Sequence, residues 1–352
     1  MDNQDYSKFS KDFKDFFSKP QQEYKESTFK KHDRVLIIDG MNLFLRNFAM
    51  VNFVNEQGVH VGGLGGFLRS LGSLVKLIQP TETYITFDGI GSSVNRKNLL
   101  PEYKSGRNIT RITNFDVYKN LEEENDSKID QIVRLIHYLK CLPVKVISMD
   151  RVEADDVMAF LSQKLDKEHN SKVFIVSADQ DFTQLINENI TTYRPLKKEF
   201  FNTKRVIEEY GCTPENFIIY KTLIGDTSDK MTGVKGLGKG KIYKFFPELK
   251  EKKMLLEDIY NISAEKFKEH LIYAKIIDNF EHLKNQFKVM NLHNPLLDED
   301  EKEILEKFIE EPNETLKIAP FLRLYNEDGL NNILKNPDYW LRDTFKVLNS
   351  FK

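Results

Sequence analysis

The sequence is poor in thiols and indoles: Cys141 and Cys212 are its two cysteines and Trp340 its one tryptophan, in 352 residues. Two isolated thiols assemble neither a four-cysteine zinc site nor a disulfide framework, which fits a reducing compartment. Long apolar runs are missing too. Val35–Ile38 is typical of those present, far below the ~20 residues a membrane span needs, so no membrane partner is expected. No basic, apolar leader opens the sequence, and an export signal is not expected. Excess charge of either sign is also absent, the net charge being −2, which argues against a binder held to nucleic acid by bulk charge alone. What remains is 40% hydrophobic and 30% charged. That is enough apolar residue for a sizeable core, in a length suited to two or three domains.

The charges are unevenly placed. Ser92–Thr113 carries Arg96, Lys97, Lys104, Arg107 and Arg111 against the single acid Glu102. Lys230–Lys244 holds five lysines and four glycines with no acid, whereas Leu121–Asp130 and Asp298–Glu303 are acidic. Charge runs are commonly solvated faces, but glycines among lysines favour local phosphate binding.

Residues 1–33 read as a polar N-terminal extension with one short helix at Phe9–Phe17. Beyond it, short apolar runs alternate with helical periodicity. Strands are expected at Val35–Asp39, Tyr84–Asp88, Val144–Ser148 and Val173–Ser177, and helices at Gly62–Ile78, Asp130–Lys140 and Ala154–Leu165. This alternation predicts an α/β fold, a parallel central sheet with helices on both faces. From about 213 onward the spacing is helical, through 216–224, 254–276 and 303–309.

The acids fall in a pattern. Asp39 and Asp88 end the first two strands. Glu153, Asp155 and Asp156 follow the third, and Asp179 and Asp181 the fourth. Ligands of open parallel sheets bind beyond the carboxyl ends of the strands, so these acids converge on one edge. Asp226 and Asp229, three apart, add a further pair. An isolated acid after a strand is commonly a helix cap or a turn residue, but five such clusters in succession exceed that explanation. Nine carboxylates in one crevice repel one another unless cations neutralise them. Two Mg²⁺ ions about 4 Å apart suit such oxygen ligands and clamp both oxygens of a phosphodiester displacement.

Ile38-Asp-Gly, Phe87-Asp-Gly, Glu153-Ala-Asp-Asp, Ser177-Ala-Asp-Gln-Asp, Gly225-Asp-Thr-Ser-Asp and Gly233-Val-Lys-Gly-Leu-Gly, in this order, resemble the motif series of the 5′ nuclease (flap endonuclease) superfamily. Its members include phage 5′-exonucleases, the T-even phage ribonuclease H and the 5′-nuclease domain of bacterial DNA polymerase I. The resemblance covers about 34 to 245. It implies Mg²⁺-dependent hydrolysis near 5′ ends of branched or 5′-ended duplex DNA and of RNA–DNA hybrids, with Mn²⁺ able to substitute. Asp39, Asp88, Glu153, Asp155 and Asp156 would serve the first metal region, and Asp179, Asp181, Asp226 and Asp229 the second. Leu100-Pro-Glu-Tyr-Lys-Ser-Gly-Arg resembles the start of the family's helical arch, which makes Lys104 and Arg107 the expected catalytic cations. Tyr103 is expected either to stack on a terminal base or to pack within the fold. Arg46 resembles a family phosphate contact.

Gly233–Lys241 nearly spells a P-loop, but Gly240 stands where the metal-binding hydroxyl belongs and no strand precedes it. A helix–hairpin–helix fits better, resembling the family's helix-three-turn-helix. Gly233, Gly236 and Gly238 would open the backbone to phosphate while Lys235, Lys239 and Lys241 add charge. The family's hairpin can also hold a monovalent cation. Gly62, Gly63, Gly65 and Gly66 lack dinucleotide-site spacing and are expected to allow close packing.

This chain departs from the family pattern at Lys230, where Asn is usual, and at Gly240-Lys241-Ile242. The expected organisation is an extension (1–33), a catalytic domain (34–212, arch about 92–127), a helical DNA-binding domain (213–290) and a helical region of unassigned role (291–352). A monomer is expected, in the cytoplasm, or the host cytoplasm if phage-encoded, with a single-strand-binding protein or sliding clamp as further partners. The competing readings are a non-catalytic binder of branched DNA and a single-strand ribonuclease of the PIN class.

Overall fold

The computed structural model describes residues 29–105 and 111–351. The expected Phe9–Phe17 helix and Arg107 therefore lie outside the described residues. Six strands form one sheet: β1 (Arg34–Asp39), β2 (Glu82–Asp88), β3 (Lys145–Met149), β4 (Lys172–Val176), β5 (Ile190–Arg194) and β6 (Glu199–Phe201), in the order β3-β2-β1-β4-β5-β6. The first five are parallel and β6 is an antiparallel edge. Parallel pairing places every carboxyl end of β1–β4 on one edge.

Both faces of the sheet are covered, because β1 alternates. Leu36 and Ile38 join one core with the Gly62–Ile78 and Leu121–Leu139 helices; Val35 and Ile37 join the opposite core with the Ala154–His169 helix. The glycine cluster works by close approach. A Cβ at Gly63 would lie 2.6 Å from the Phe44 ring, so only hydrogen lets the two helices meet there.

Three regions differ from sequence expectation. The helix expected at Asp130–Lys140 begins at Leu121, where Asn120 caps it by accepting from the Glu123 amide. The acidic run is thus its first turns, favoured by the helix dipole but invisible to apolar periodicity. β5 and β6 were not expected; the β5 threonines Thr191 and Thr192 are buried, giving no apolar run to read. The 254–276 pattern is broken into helices Leu256–Glu265 and Leu271–Asp278.

A separate core gathers Phe217, Leu223, Ile242, Ile259 and Leu283 from the helices after 213 and Leu237 from the loop between them, together with Leu100 and Tyr103 from the basic segment. The last sixty residues close both faces of the sheet. Leu305 and Ile309 of helix Glu299–Glu310 join the core behind Val35, and Phe321, Tyr325 and Phe345 join the core behind Leu36.

Candidate active site

Asp39 ends β1 and caps the following helix, Gly40–Met50, accepting from the Asn42 amide at 2.9 Å. Ser177 Oγ, at the end of β4, donates to its other oxygen at 3.0 Å. Asp88 ends β2 and accepts from the Ala154 amide at 2.9 Å, capping the third-strand helix from a neighbouring strand. Each acid is thus a local cap as well as a crevice carboxylate. A helix N-terminus stabilises the negative charge of each.

Glu153 immediately precedes the Ala154–His169 helix and is 2% exposed. Its Oε2 accepts from Tyr103 Oη at 3.1 Å and Lys104 Nζ at 3.0 Å, and lies 3.0 Å from Arg96 Nη1. Its Oε1 is buried with no hydrogen-bond partner. Burial opposes its ionisation, but Arg96 and Lys104 hold it below the ordinary carboxyl range. Both oxygens of Asp156, by contrast, are committed, accepting from Arg96 and, at 2.9 Å, from the Leu296 amide.

Three further acids, Asp39, Asp155 and Asp181, are held above the ordinary carboxyl range. Burial, and then the proximity of Asp88 and Asp179, pushes Asp39 up to about 6. Burial, Asp179 and Asp39 raise Asp155 well above its ordinary value. Burial and Asp179 raise Asp181 to about 7, against the pull of Lys221. The Lys221 ammonium, from helix Phe217–Ile224, bonds Asp181 and lies 2.7 Å from Asp226. Although burial opposes it, Lys221 and the Ser228 hydrogen bonds hold Asp226 at about 2. Asp229 is 5% exposed, and its carbonyl accepts from the Lys104 amide at 3.4 Å. Lys230, next to it, is exposed in a left-handed backbone at φ 56.

Tyr103 is 4% exposed within the helical core and hydrogen-bonds Glu153, so its ring is not presented for base stacking. The packing alternative describes it. Arg46 donates through Nη2 to the Pro195 carbonyl at 3.0 Å, tying its helix to the β5–β6 turn. Lys104 meets Glu153 from a positive φ of 52. Arg96, Ser177 and Lys221 were not singled out from the sequence for the site. Ser177 is a hydroxyl inside an acidic motif, Lys221 a charge five residues before Asp226 and Arg96 one charge of a basic segment, all of them common signals.

After the Phe217–Ile224 helix the chain makes a two-strand turn, Gly225–Asp226 with Met231–Thr232, and ends in one helical turn, Ile242–Phe245. Gly225 has φ 82, and a Cβ on it would stand 2.4 Å from the Gly233 amide. Val234, Leu237 and Ile242 are buried, while Lys235, Gly236, Gly238, Lys239 and Lys241 are exposed between them. Apolar anchors thus turn the lysines and the glycine backbone outward. The Lys235 carbonyl accepts from Lys275 at 2.8 Å, and Lys239 Nζ lies 5.1 Å from the Tyr210 ring centre.

Donors that are all oxygen, carboxyls pushed upward by burial and then by one another's charge, and an orphaned Glu153 oxygen fit divalent cations. The fold and this edge define an α/β protein with a carboxylate crevice at the carboxyl ends of a parallel sheet. Residues 34–211, half of the chain, match the family model of the 5′-3′ exonuclease N-terminal resolvase-like domain, and the chain belongs to that family. It is 30% identical over 239 residues to a 5′-3′ exonuclease of Buchnera aphidicola, covering 68% of this chain and 77% of that protein. It is also 30% identical over 243 residues to DNA polymerase I of Bacillus subtilis, but spans 26% of that relative's length. Among solved structures, the T5 5′-exonuclease with bound zinc shares the fold, with a TM-score of 0.57 and 19% identity over 90% of this chain and 99% of that one.

Proposed function

We propose that the chain is a divalent-metal-dependent 5′ nuclease acting on branched or 5′-ended duplex DNA. One observation carries this reading: carboxylates from four adjacent strand ends and from the 225–229 turn face one crevice in which their own charges are incompletely balanced. Asp39, Asp88, Glu153 and Asp155 would hold one Mg²⁺, and Asp179, Asp181, Asp226 and Asp229 a second, with Mn²⁺ as a substitute. Bound there, such ions supply Lewis-acid stabilisation of the phosphoryl oxygens and a water nucleophile at neutral pH. Asp156 acts through Arg96, which it fixes against Glu153. Lys104, beside Glu153, places an ammonium where charge grows on the phosphate, a task shared with Arg107. Lys235, Lys239 and Lys241 grip duplex phosphates without reading sequence, in a helix–hairpin–helix arrangement. Activity on RNA–DNA hybrids, a replication role and a cytoplasmic site of action belong to the same reading. It is favoured over a non-catalytic DNA binder because none of the nine acids is replaced.

The experiment is a 5′-labelled flap incubated with Mg²⁺ or with EDTA, using wild type, Asp155→Asn and Asp179→Asn. Expected is metal-dependent cleavage that falls by orders of magnitude in both variants, with flap binding retained. Cleavage by Asp155→Asn at the wild-type rate would sink the two-metal assignment. Binding without cleavage by the wild type would favour the non-catalytic alternative.

A further inference from the structure

The amino-terminal edge of the sheet, opposite the acid crevice, carries another cluster. His32 precedes β1, Glu82 opens β2 and Lys145 opens β3. His169 and Glu310 are the last residues of the helices Ala154–His169 and Glu299–Glu310. The imidazoles of His32 and His169 stack with ring centres 4.2 Å apart. His169 Nε2 lies 3.7 Å from Glu310 Oε1. Among the described residues, His32, His169 and Glu310 form a set of three metal-ligating side chains offering one donor atom each within 4.8 Å of one another.

We propose that His32, His169 and Glu310 form a second, separate metal site for Zn²⁺ or a cation of its class. Two imidazoles and one carboxylate are a donor set suited to Zn²⁺, with water in the fourth position, whereas Mg²⁺ prefers oxygen alone. His32 is already oriented: its Nδ1 is hydrogen-bonded to Glu82, a carboxylate with no exposure. A carboxylate on one imidazole nitrogen fixes the tautomer and leaves the lone pair of the other nitrogen for a metal, the usual outer shell of a metal-bound histidine. Lys145 Nζ in turn donates to Glu82 at 3.0 Å and to the Ile309 carbonyl at 2.9 Å, so that carboxylate is held in place from behind. The carboxyl end of the Ala154–His169 helix also lies here, and its dipole favours a cation, whereas the Ile309 and Glu310 carbonyls already accept from Lys31 and Lys145.

Ligands about 2 Å from a tetrahedral ion stand roughly 3.3 Å apart. Closing the set requires His169 to turn out of its stack on His32 and Glu310 to swing toward it, and their side chains are 29% and 67% exposed. The site lies about 20 Å from the crevice, the length of a six-residue strand. It joins segments 137 and 278 residues from His32, clipping the carboxyl-terminal region onto the nuclease core. Binding energy at such a clip is folding energy for the helix it holds.

The test is Zn²⁺ titration of the full chain in saturating Mg²⁺, which competes for the crevice, with zinc X-ray absorption on the bound sample to separate the two sites. His169→Ala and Glu310→Gln are the variants, both at partly exposed side chains. Expected is Zn²⁺ affinity at least tenfold weaker in each variant. The wild-type spectrum should show imidazole scattering, which the crevice carboxylates do not supply. Cleavage in Mg²⁺ should be the same for His169→Ala as for wild type. Wild-type Zn²⁺ affinity in both variants, or bound Zn²⁺ without imidazole scattering, would overturn the proposal.

Discussion

Arg96 holds Asp156 in a two-pronged ion pair, Nη1 2.5 Å from Oδ2 and Nη2 3.0 Å from Oδ1, with both side chains almost wholly buried. The same Nη1 reaches Glu153, and Nε donates to the Val289 carbonyl at 2.9 Å. One guanidinium thus links the basic segment, the acid crevice and the helical core. Two buried carboxylates depend on it.

Arg96→Ala should therefore destabilise the fold by about 3–5 kcal/mol, the range for stranding buried charge. Replacing the pair, Arg96→Met with Asp156→Leu, should cost less, because Glu153 keeps Lys104. Denaturant unfolding of the three proteins at neutral pH measures both. Equal losses would mean the ion pair carries none of the effect.

Lys104 has a different task. Its ammonium sits 3.0 Å from Glu153 and 23% of the side chain is exposed, so on the proposed reading it would exchange that carboxylate for a phosphate. Lys104→Ala should lower single-turnover cleavage at saturating enzyme by at least about tenfold, or ~1.4 kcal/mol, with a smaller effect on flap affinity. Lys104→Arg should rescue in part, since a planar fork does not replace a compact ammonium. If saturating enzyme restores the full rate of Lys104→Ala, the residue is only an anchor.

The hairpin should show the converse. Neutralising Lys235, Lys239 and Lys241 together should weaken duplex binding evenly across sequences and flatten the log K against log salt slope by about 0.9 per lost contact. The saturated cleavage rate should be largely kept. An unchanged slope would place these lysines in solvent even in the complex.

His60 supplies a pH dependence. It is buried, with Nδ1 2.7 Å from the Tyr118 hydroxyl and Nε2 3.1 Å from the Val51 carbonyl. Burial lowers its pKa; the Val51 carbonyl and Glu124 oppose the shift, and Lys128 is paired with Glu124 at 2.9 Å. The folded state therefore favours neutral imidazole, while the unfolded chain takes up the proton near its ordinary value of about 6.5. Stability from this group is complete above that pH and is lost as pH falls below it, by at most about 1.4 kcal/mol per unit. Unfolding free energies of wild type and His60→Gln between pH 7.5 and 5 (about two and a half units of the same linkage) should diverge in slope below about 6.5. Parallel curves would assign the dependence to other groups.

The sequence by itself determined where the acids of the crevice would lie. Strand alternation, a terminal aspartate and an ensuing helix are local signals, and parallel pairing then forces every strand end to one edge. Tertiary structure decided what surrounds those acids. Arg96 lies 60 residues from Asp156 and Lys221 lies 40 from Asp181, distances over which charge and periodicity carry no pairing information. It also turned Tyr103 inward, because the segment after Leu99 packs into the helical core. The carboxyl-terminal helices read as unassigned for the same reason. Their apolar stripes declare that something will be covered, but only the assembled sheet offers two open faces to cover, and only there do His32, His169 and Glu310 meet.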